Sequence, residues 1–287
     1  MSRVAYVNGR YLPHGEAVVH VEDRGFQFAD GVYEVWAVLD GRLADVDGHL
    51  ARLERSLSEL RIDWPRSRAA LLTVVHETVR RNRISNGLAY LQVTRGVARR
   101  DHPFPSPAPR PTVVVTAKAL NLQALEAKAQ NGVAVLSQPD QRWGRCDIKT
   151  VGLLPNVLAK QAAREAGAYE AWLVDNEGLV TEGASTNAWI VDANGVLRTR
   201  DTQANILRGI TRATLIELAR EIQIRVDERP FSLEEAKSAR EAFLTAASAF
   251  VTPIVAIDGV VVADGRPGPV TRRLRALYLD HARRNAL

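Results

Sequence analysis

The sequence contains one cysteine, Cys146, among 287 residues. A single thiol excludes an intrachain disulfide and any multi-cysteine metal site, and it suits a reducing compartment. No stretch approaches the roughly 18–20 apolar residues of a membrane span, and the first residues lack the apolar run of a secretion signal. A cytoplasmic protein with no membrane partner is therefore expected. Aromatic residues make up 6% of the chain, too few for base stacking, and the formal charge of +5 is dispersed, with Arg80-Arg81-Asn82-Arg83 its densest cluster. Nucleic-acid binding is not expected on that pattern. The six histidines form no His-x-His or His-Glu-x-x-His pair, so a zinc enzyme and a metal site are not expected. Neither Ser185 nor Ser248 lies in a Gly-x-Ser-x-Gly elbow, and no Gly-x-Gly-x-x-Gly or P-loop is present. Those absences argue against a serine hydrolase, a Rossmann dehydrogenase and an NTPase.

Lysine is scarce as well. Only Lys118, Lys128, Lys149, Lys160 and Lys237 occur among 38 basic residues. Where arginine supplies the general positive charge, a lysine in an apolar and small-polar setting suggests an amine that must be able to lose its proton. Lys149, in Cys146-Asp147-Ile148-Lys149-Thr150, has that setting. Thirty-three positions later comes Glu182, in Thr181-Glu182-Gly183-Ala184-Ser185-Thr186-Asn187. A lysine amine and a carboxylate are what aldehyde-cofactor chemistry requires: the first forms a Schiff base, the second keeps a ring nitrogen protonated.

The composition, 46% hydrophobic and 25% charged, is that of a globular chain long enough for two domains. Val4–Val7 and Tyr11–Pro13 flank Asn8-Gly9, and Val32–Leu39 and Leu43–Val46 flank Asp40-Gly41, two hairpin signals. Asp47 is placed to cap a helix with the stripe Leu50, Leu53, Leu57 and Leu60, and residues 65–81 read as a second helix. Strands are expected at 89–96 and 112–117, with a proline-rich loop (residues 103–109) between them, and a linker at 119–125. Beyond it, strands at 133–137, 168–174, 187–191, 196–199, 242–246 and 254–257 alternate irregularly with helices at 156–166, 211–222 and 270–284. Two further groupings carry chemistry. Leu207-Arg208-Gly209-Ile210-Thr211-Arg212 places a glycine and a threonine where a loop enters a helix, which suits an anion as well as an ordinary N-cap. Arg100 and His102 are one residue apart and share a face of an extended segment, where they could converge on a carboxylate or simply be solvated.

Taken together, these segments resemble the fold type IV pyridoxal-phosphate enzymes, in particular their D-amino acid transaminase branch. The resemblance runs from about Tyr6 to Arg273. It includes residues 22–35 (Glu-Asp-Arg-Gly-Phe-Gln-Phe-Ala-Asp-Gly-Val-Tyr-Glu-Val), His49-Leu50-Ala51-Arg52-Leu53, Arg100-Asp101-His102, Asp147-Ile148-Lys149-Thr150, Val157-Leu158-Ala159-Lys160, Thr181-Glu182-Gly183 and Gly209-Ile210-Thr211-Arg212. It implies an α+β chain with a small N-terminal α/β domain (1–118), a linker (119–125) and a larger strand-rich cofactor domain (126–287). It implies pyridoxal 5'-phosphate as cofactor, Lys149 as the Schiff-base lysine and proton carrier, and Glu182 as partner of the ring nitrogen. Arg52, Gly209, Ile210, Thr211 and Ser248 would serve the phosphate, and Leu207 would lie beneath the ring. Tyr33, Arg100 and His102 would grip the substrate carboxylate, the latter two reaching in from the partner of a homodimer. Amino acids and 2-oxo acids would be the substrates. Three positions depart from the family pattern: Ala184, Ala246 and Ala247 stand where hydroxyl residues are common. Within the same fold, a branched-chain aminotransferase would carry Tyr-Phe-Glu-Gly-Ile-Arg where this chain has Val32-Tyr33-Glu34-Val35-Trp36. An (R)-amine transaminase and an aminodeoxychorismate lyase are further alternatives. Outside the fold, a non-enzymatic cofactor carrier would keep Lys149 without a carboxylate trap.

Overall fold

A computed structural model describes residues 3–203 and 205–287. The chain forms two compact units. One comprises the residues up to Asn121 with Ile148–Gly152 and Ala282–Leu287; the other comprises Leu122–Asp147 and Leu153–His281. Two short segments from the second half of the sequence thus pack with the first unit, which a single division at 119–125 does not anticipate.

The first unit contains β1 (Val4–Val7), β2 (Arg10–Pro13), α1 (Arg24–Phe28), β3 (Gly31–Leu39), β4 (Arg42–Leu43), α2 (Val46–Glu59), α3 (Arg68–Arg81), β5 (Gly87–Thr94) and β6 (Thr112–Ala119). The strands form an antiparallel sheet in the order β2-β1-β6-β5-β3-β4. Both expected hairpin turns are present, with positive φ at Asn8 and Gly9 and at Asp40 and Gly41. Alternation along the strands selects the core: Val32, Trp36 and Val38 of β3 and Ala89, Leu91 and Val93 of β5 meet Leu50, Leu53 and Leu57 of α2 and Leu71, Val75 and Val79 of α3. Burying each such leucine contributes about 1.5–3 kcal/mol. α3 begins at Ser67, whose side chain accepts from Ala70 N at 3.3 Å. α2 begins earlier than Asp47 suggests. Its N-cap is Asp45, in a left-handed conformation, Asp47 lies in the first turn, and Val46 is helical rather than part of a strand.

The second unit contains α4 (Leu122–Asn131), β7 (Val133–Pro139), α5 (Leu154–Glu165), β8 (Glu170–Val174), β9 (Val180–Gly183), β10 (Asn187–Val191), β11 (Leu197–Arg198), α6 (Ile210–Glu221), β12 (Val226–Asp227), α7 (Leu233–Lys237), β13 (Glu241–Ala246), β14 (Phe250–Ile257), β15 (Val260–Val261) and most of α8 (Pro269–Arg284). Its nine strands form one mixed sheet, β12-β11-β10-β13-β14-β7-β8-β9, with β15 paired to β14. The β14–β7, β7–β8 and β11–β12 pairs are parallel. Part of the expected linker is helical, because Leu125 and Ala129, one turn apart, are buried and hold α4 against β14. Gly167 closes α5 with positive φ, as its position after the helix suggests. Among the described residues no helix is long and apolar enough to cross a membrane.

Candidate functional site

In the first unit the segment carrying Lys149 lies along the start of β3. Tyr33 N donates to Lys149 O at 3.0 Å, Val151 N donates to Gly31 O at 3.1 Å, and Lys149 N donates to Ser56 Oγ at 3.3 Å. Ile148 is buried in the core between these anchors. The main chain is therefore fixed, and the side chain extends to the face of β3 that carries Tyr33. Lys149 Nζ lies 4.2 Å from the centre of the Tyr33 ring and has no carboxylate partner among the described residues. Tyr33 stacks on Tyr90 at 5.5 Å, and burial, with Tyr33 beside it, pushes the Tyr90 phenol up to about 12.

The opposite face of β3 presents Glu34 to α2, where His49 and Arg52 stand one turn apart. Arg52 Nε and Nη2 donate to the two Glu34 oxygens, each at 2.7 Å, and His49 Nδ1 lies 2.7 Å from Oε2. Glu34 is fully buried. Burial alone would raise its pKa, but the Arg52 charge and the hydrogen bonds from Arg52 and His49 outweigh it and hold the carboxyl at about 2. Burial pushes the His49 imidazole below its ordinary value, so it bonds Glu34 as a neutral ring. Sequence reasoning selected Arg52 and missed the pair that orients it. A carboxylate amid the apolar run from Val32 to Leu39 was the available signal.

Arg100 and His102 are exposed, and both meet Phe28: Arg100 over the ring at 4.8 Å, His102 with its ring centre 5.5 Å away. Arg24 of α1 holds their loop by donating to Asp101 O at 2.6 Å and His102 O at 3.2 Å. The two residues singled out by their spacing thus share one aromatic platform.

In the second unit Glu182 ends up buried on β9, where several donors reach it. Arg142 Nη1 pairs with Oε1, Leu207 N donates to Oε1 at 3.0 Å, and Asn187 Nδ2 donates to Oε2 at 2.9 Å. Arg142 is in turn gripped by Asp140 through Nε at 2.9 Å and Nη2 at 2.7 Å, while Thr181 Oγ1 donates to Asp140 Oδ2 at 2.7 Å. Burial opposes both charges, but the Asp140 and Glu182 carboxylates raise Arg142 and the Arg142 and Thr181 contacts lower Asp140, so Arg142 and Asp140 both stay ionised. Arg142 and Asn187 are partners of Glu182 that the sequence did not reveal, since an arginine carries no signal where arginine is the general cation. Burial lifts the nearby Cys146 thiol to about 11, which leaves it unreactive at neutral pH.

Leu207 and Gly209 converge on Glu182 through Asn187. The Asn187 amide also donates to Leu207 O at 3.0 Å, and a Cβ on Gly209 would come within 1.9 Å of Asn187 Oδ1. That position therefore requires glycine. Gly209, rather than Thr211, is the N-cap of α6, and no side chain caps the helix. Its first-turn N–H groups, beginning at Ile210 and Thr211, can serve an anion. Thr211 is buried, with Oγ1 3.3 Å from the Tyr278 hydroxyl. Ser248 lies, half-buried, in the turn between β13 and β14. Between β9 and β10, Ser185 Oγ donates to Glu170 Oε2 at 2.6 Å, whereas the buried Thr186 hydroxyl has no partner among the described residues.

The first unit offers an amine with no carboxylate partner among the described residues, and the second offers a buried carboxylate reached by hydrogen-bond donors and a helix N-terminus without a side-chain cap, groups whose chemistry suits pyridoxal 5'-phosphate. Comparison with known proteins agrees. The amino-transferase class IV family matches residues 31–257. D-alanine aminotransferase of Bacillus licheniformis is 42% identical over 268 residues, 93% of either chain, and that of Staphylococcus aureus strain COL is 39% identical over 271 residues, 94% of either chain. Among solved structures, the Escherichia coli branched-chain amino acid aminotransferase gives a TM-score of 0.90 at 26% identity, covering 98% of this chain and 95% of that one. A second branched-chain amino acid aminotransferase, solved with pyridoxamine 5'-phosphate, gives 0.89 at 27% identity, covering 99% and 96%. With the family match spanning most of the chain and close relatives aligned over nearly its full length, the protein belongs to the class IV aminotransferases.

Proposed function

We propose that the enzyme is a D-amino acid transaminase that uses pyridoxal 5'-phosphate to move the amino group of D-alanine or D-glutamate to a 2-oxo acid such as pyruvate or 2-oxoglutarate. When bound, the cofactor supplies an aldehyde carbon that accepts the amino group and a ring that takes up electrons from the substrate Cα. Lys149 would hold the cofactor through its amine and would carry the proton between the substrate Cα and the cofactor's C4′. Glu182, fixed by Arg142, Asn187 and the Leu207 N–H, would accept the ring N–H. Arg52, the N–H groups of Ile210 and Thr211, and Ser248 would hold the phosphate, and Leu207 would pack against the ring. Tyr33, Arg100 and His102 take the substrate carboxylate. The exposure of Arg100 and His102 on their own chain supports a homodimer in which each protomer lends them to its partner. A cytoplasmic setting accords with the single thiol.

The observation that supports the D-amino acid reading is the joint presentation of Arg100 and His102 on Phe28, which would suit two donor side chains meeting one carboxylate. It accords with the D-alanine aminotransferase relatives. The fold likeness to branched-chain aminotransferases supplies the competing reading. Turnover of D-alanine, L-leucine and (R)-1-phenylethylamine with 2-oxoglutarate separates them. D-alanine is expected to be the good substrate. A preference for L-leucine would assign the branched-chain activity instead, and a preference for the amine would assign an amine transaminase.

A further inference from the structure

Three polar side chains follow one another after β9, and two have buried carboxylates as partners: Ser185 binds Glu170 and Asn187 binds Glu182. Thr186, between them, is 8% exposed, and its Oγ1 has no hydrogen-bond partner among the described residues. Its position is not loose. Gly183 N donates to Thr186 O at 2.7 Å, and a Cβ on Gly183 would fall 2.1 Å from Thr186 Oγ1, so the turn seats the hydroxyl over that glycine. A buried hydroxyl that has lost water and gained no partner is a standing cost to the fold, which points to a partner arriving from outside. The Trp36 and Trp172 ring nitrogens, also without partners, lack this meaning because their side chains are enclosed in the two apolar cores.

The surroundings indicate the chemistry of that partner. Asn187 pairs with Thr245, so Thr186 lies one residue beyond the paired stretch, toward the end of β13 that enters the turn bearing Ser248. Asn187 also abuts Gly209, the uncapped start of α6. Thr186 is therefore next, through its own neighbour, to a helix start that suits negative charge. Ala246 and Ala247, at the end of β13 and in the turn, carry no hydroxyl.

We propose that Thr186 Oγ1 donates a hydrogen bond to an anionic oxygen of the bound ligand, making a contact that Ala246 and Ala247 cannot make. The inference rests on the reading of this unit as the cofactor-binding half. An anionic oxygen has two sources, the cofactor phosphate and the substrate carboxylate. Thr186→Val removes the hydroxyl at nearly constant shape, and Thr186→Ser restores it. The measurements are the Tm of the apoenzyme, spectroscopic titration with pyridoxal 5'-phosphate and with phosphate-free pyridoxal, and KM for D-alanine and for (R)-1-phenylethylamine. Thr186→Val is expected to leave the apoenzyme Tm unchanged or raised. A phosphate contact weakens pyridoxal 5'-phosphate about 10- to 100-fold and spares pyridoxal. A carboxylate contact spares both cofactor forms, raises KM for D-alanine by a similar factor and spares the amine. In either case Thr186→Ser should return most of the loss. Equal loss for the two cofactor forms, a lowered apoenzyme Tm, or no change in any measure would overturn the proposal. If the wild-type protein bound neither cofactor form, the reading of the site would fail first and take this inference with it.

Discussion

The Glu34–Arg52 pair of the first unit and the Arg142–Glu182 pair of the second use the same ions in opposite senses. In the first, a fully buried carboxylate aligns an arginine whose proposed work is to meet a phosphate. In the second, a buried arginine, itself clamped by Asp140, aligns a carboxylate whose proposed work is to meet a ring nitrogen. The supporting ion differs in its own backing. Arg142 keeps Asp140 if Glu182 is neutralised, whereas Glu34 is the carboxylate that Arg52 and His49 both bind. Neutralising the carboxylate should therefore damage the fold in one unit and the chemistry in the other.

The largest expected effect bears on neither pair. Lys149→Ala should lower turnover by at least about 10²–10⁴-fold while the folded fraction, followed by circular dichroism, is unchanged. Near-normal transamination by that variant without added amines would remove Lys149 from its role. The contrast between the pairs is tested next. Glu34→Gln should cost about 3–5 kcal/mol in urea denaturation, as expected when one partner of a buried ion pair is removed. Glu182→Gln should cost clearly less stability and show its effect in the rate of D-alanine turnover. Equal stability losses would dissolve the distinction.

A third measurement sharpens the same point by pH. Glu34 is held at about 2 in the folded protein against an ordinary 4.5, so its contribution is fully present above about 4.5 and is lost as pH falls toward 2. Over that window it should remove ~3 kcal/mol from the wild type. Asp140, also lowered, has the same sign. The acid limb of the stability curve should flatten in Glu34→Gln, and an unchanged limb would show that Glu34 does not titrate there. The smallest effect is at the substrate. Arg100→Ala should reduce kcat/KM for D-alanine about 10- to 150-fold, the range for a lost charge-assisted hydrogen bond, and leave (R)-1-phenylethylamine much less affected.

What the sequence made legible follows the range over which its signals act. The Asn8-Gly9 and Asp40-Gly41 hairpins and the leucine stripe of α2 are local and periodic, and they stand as expected. Lys149 and Glu182 stood out because each lies in a short motif of unusual composition. Their supports did not, because Arg142 and Asn187 acquire meaning only through contacts made in the folded chain. Some omissions had available cues. Ser232-x-x-Glu235 forms a capping box at α7, and Glu34 broke the apolar alternation of β3. Others had little: β9 is four residues long and was absorbed by the Thr181-Glu182-Gly183 motif, while α4 buries only two side chains.

The membership of the first unit has a consequence for how the protein is made. Its edge strand β4 is completed by Leu43 and Leu287, which exchange two backbone hydrogen bonds at 2.7 and 3.0 Å, and its β3 is flanked by the segment carrying Lys149. Residues 148–152 and 282–287 emerge from the ribosome long after the residues up to Asn121. The half synthesised first therefore cannot finish folding until the chain that follows has been translated, and its sheet must wait, partly assembled, for its final contacts.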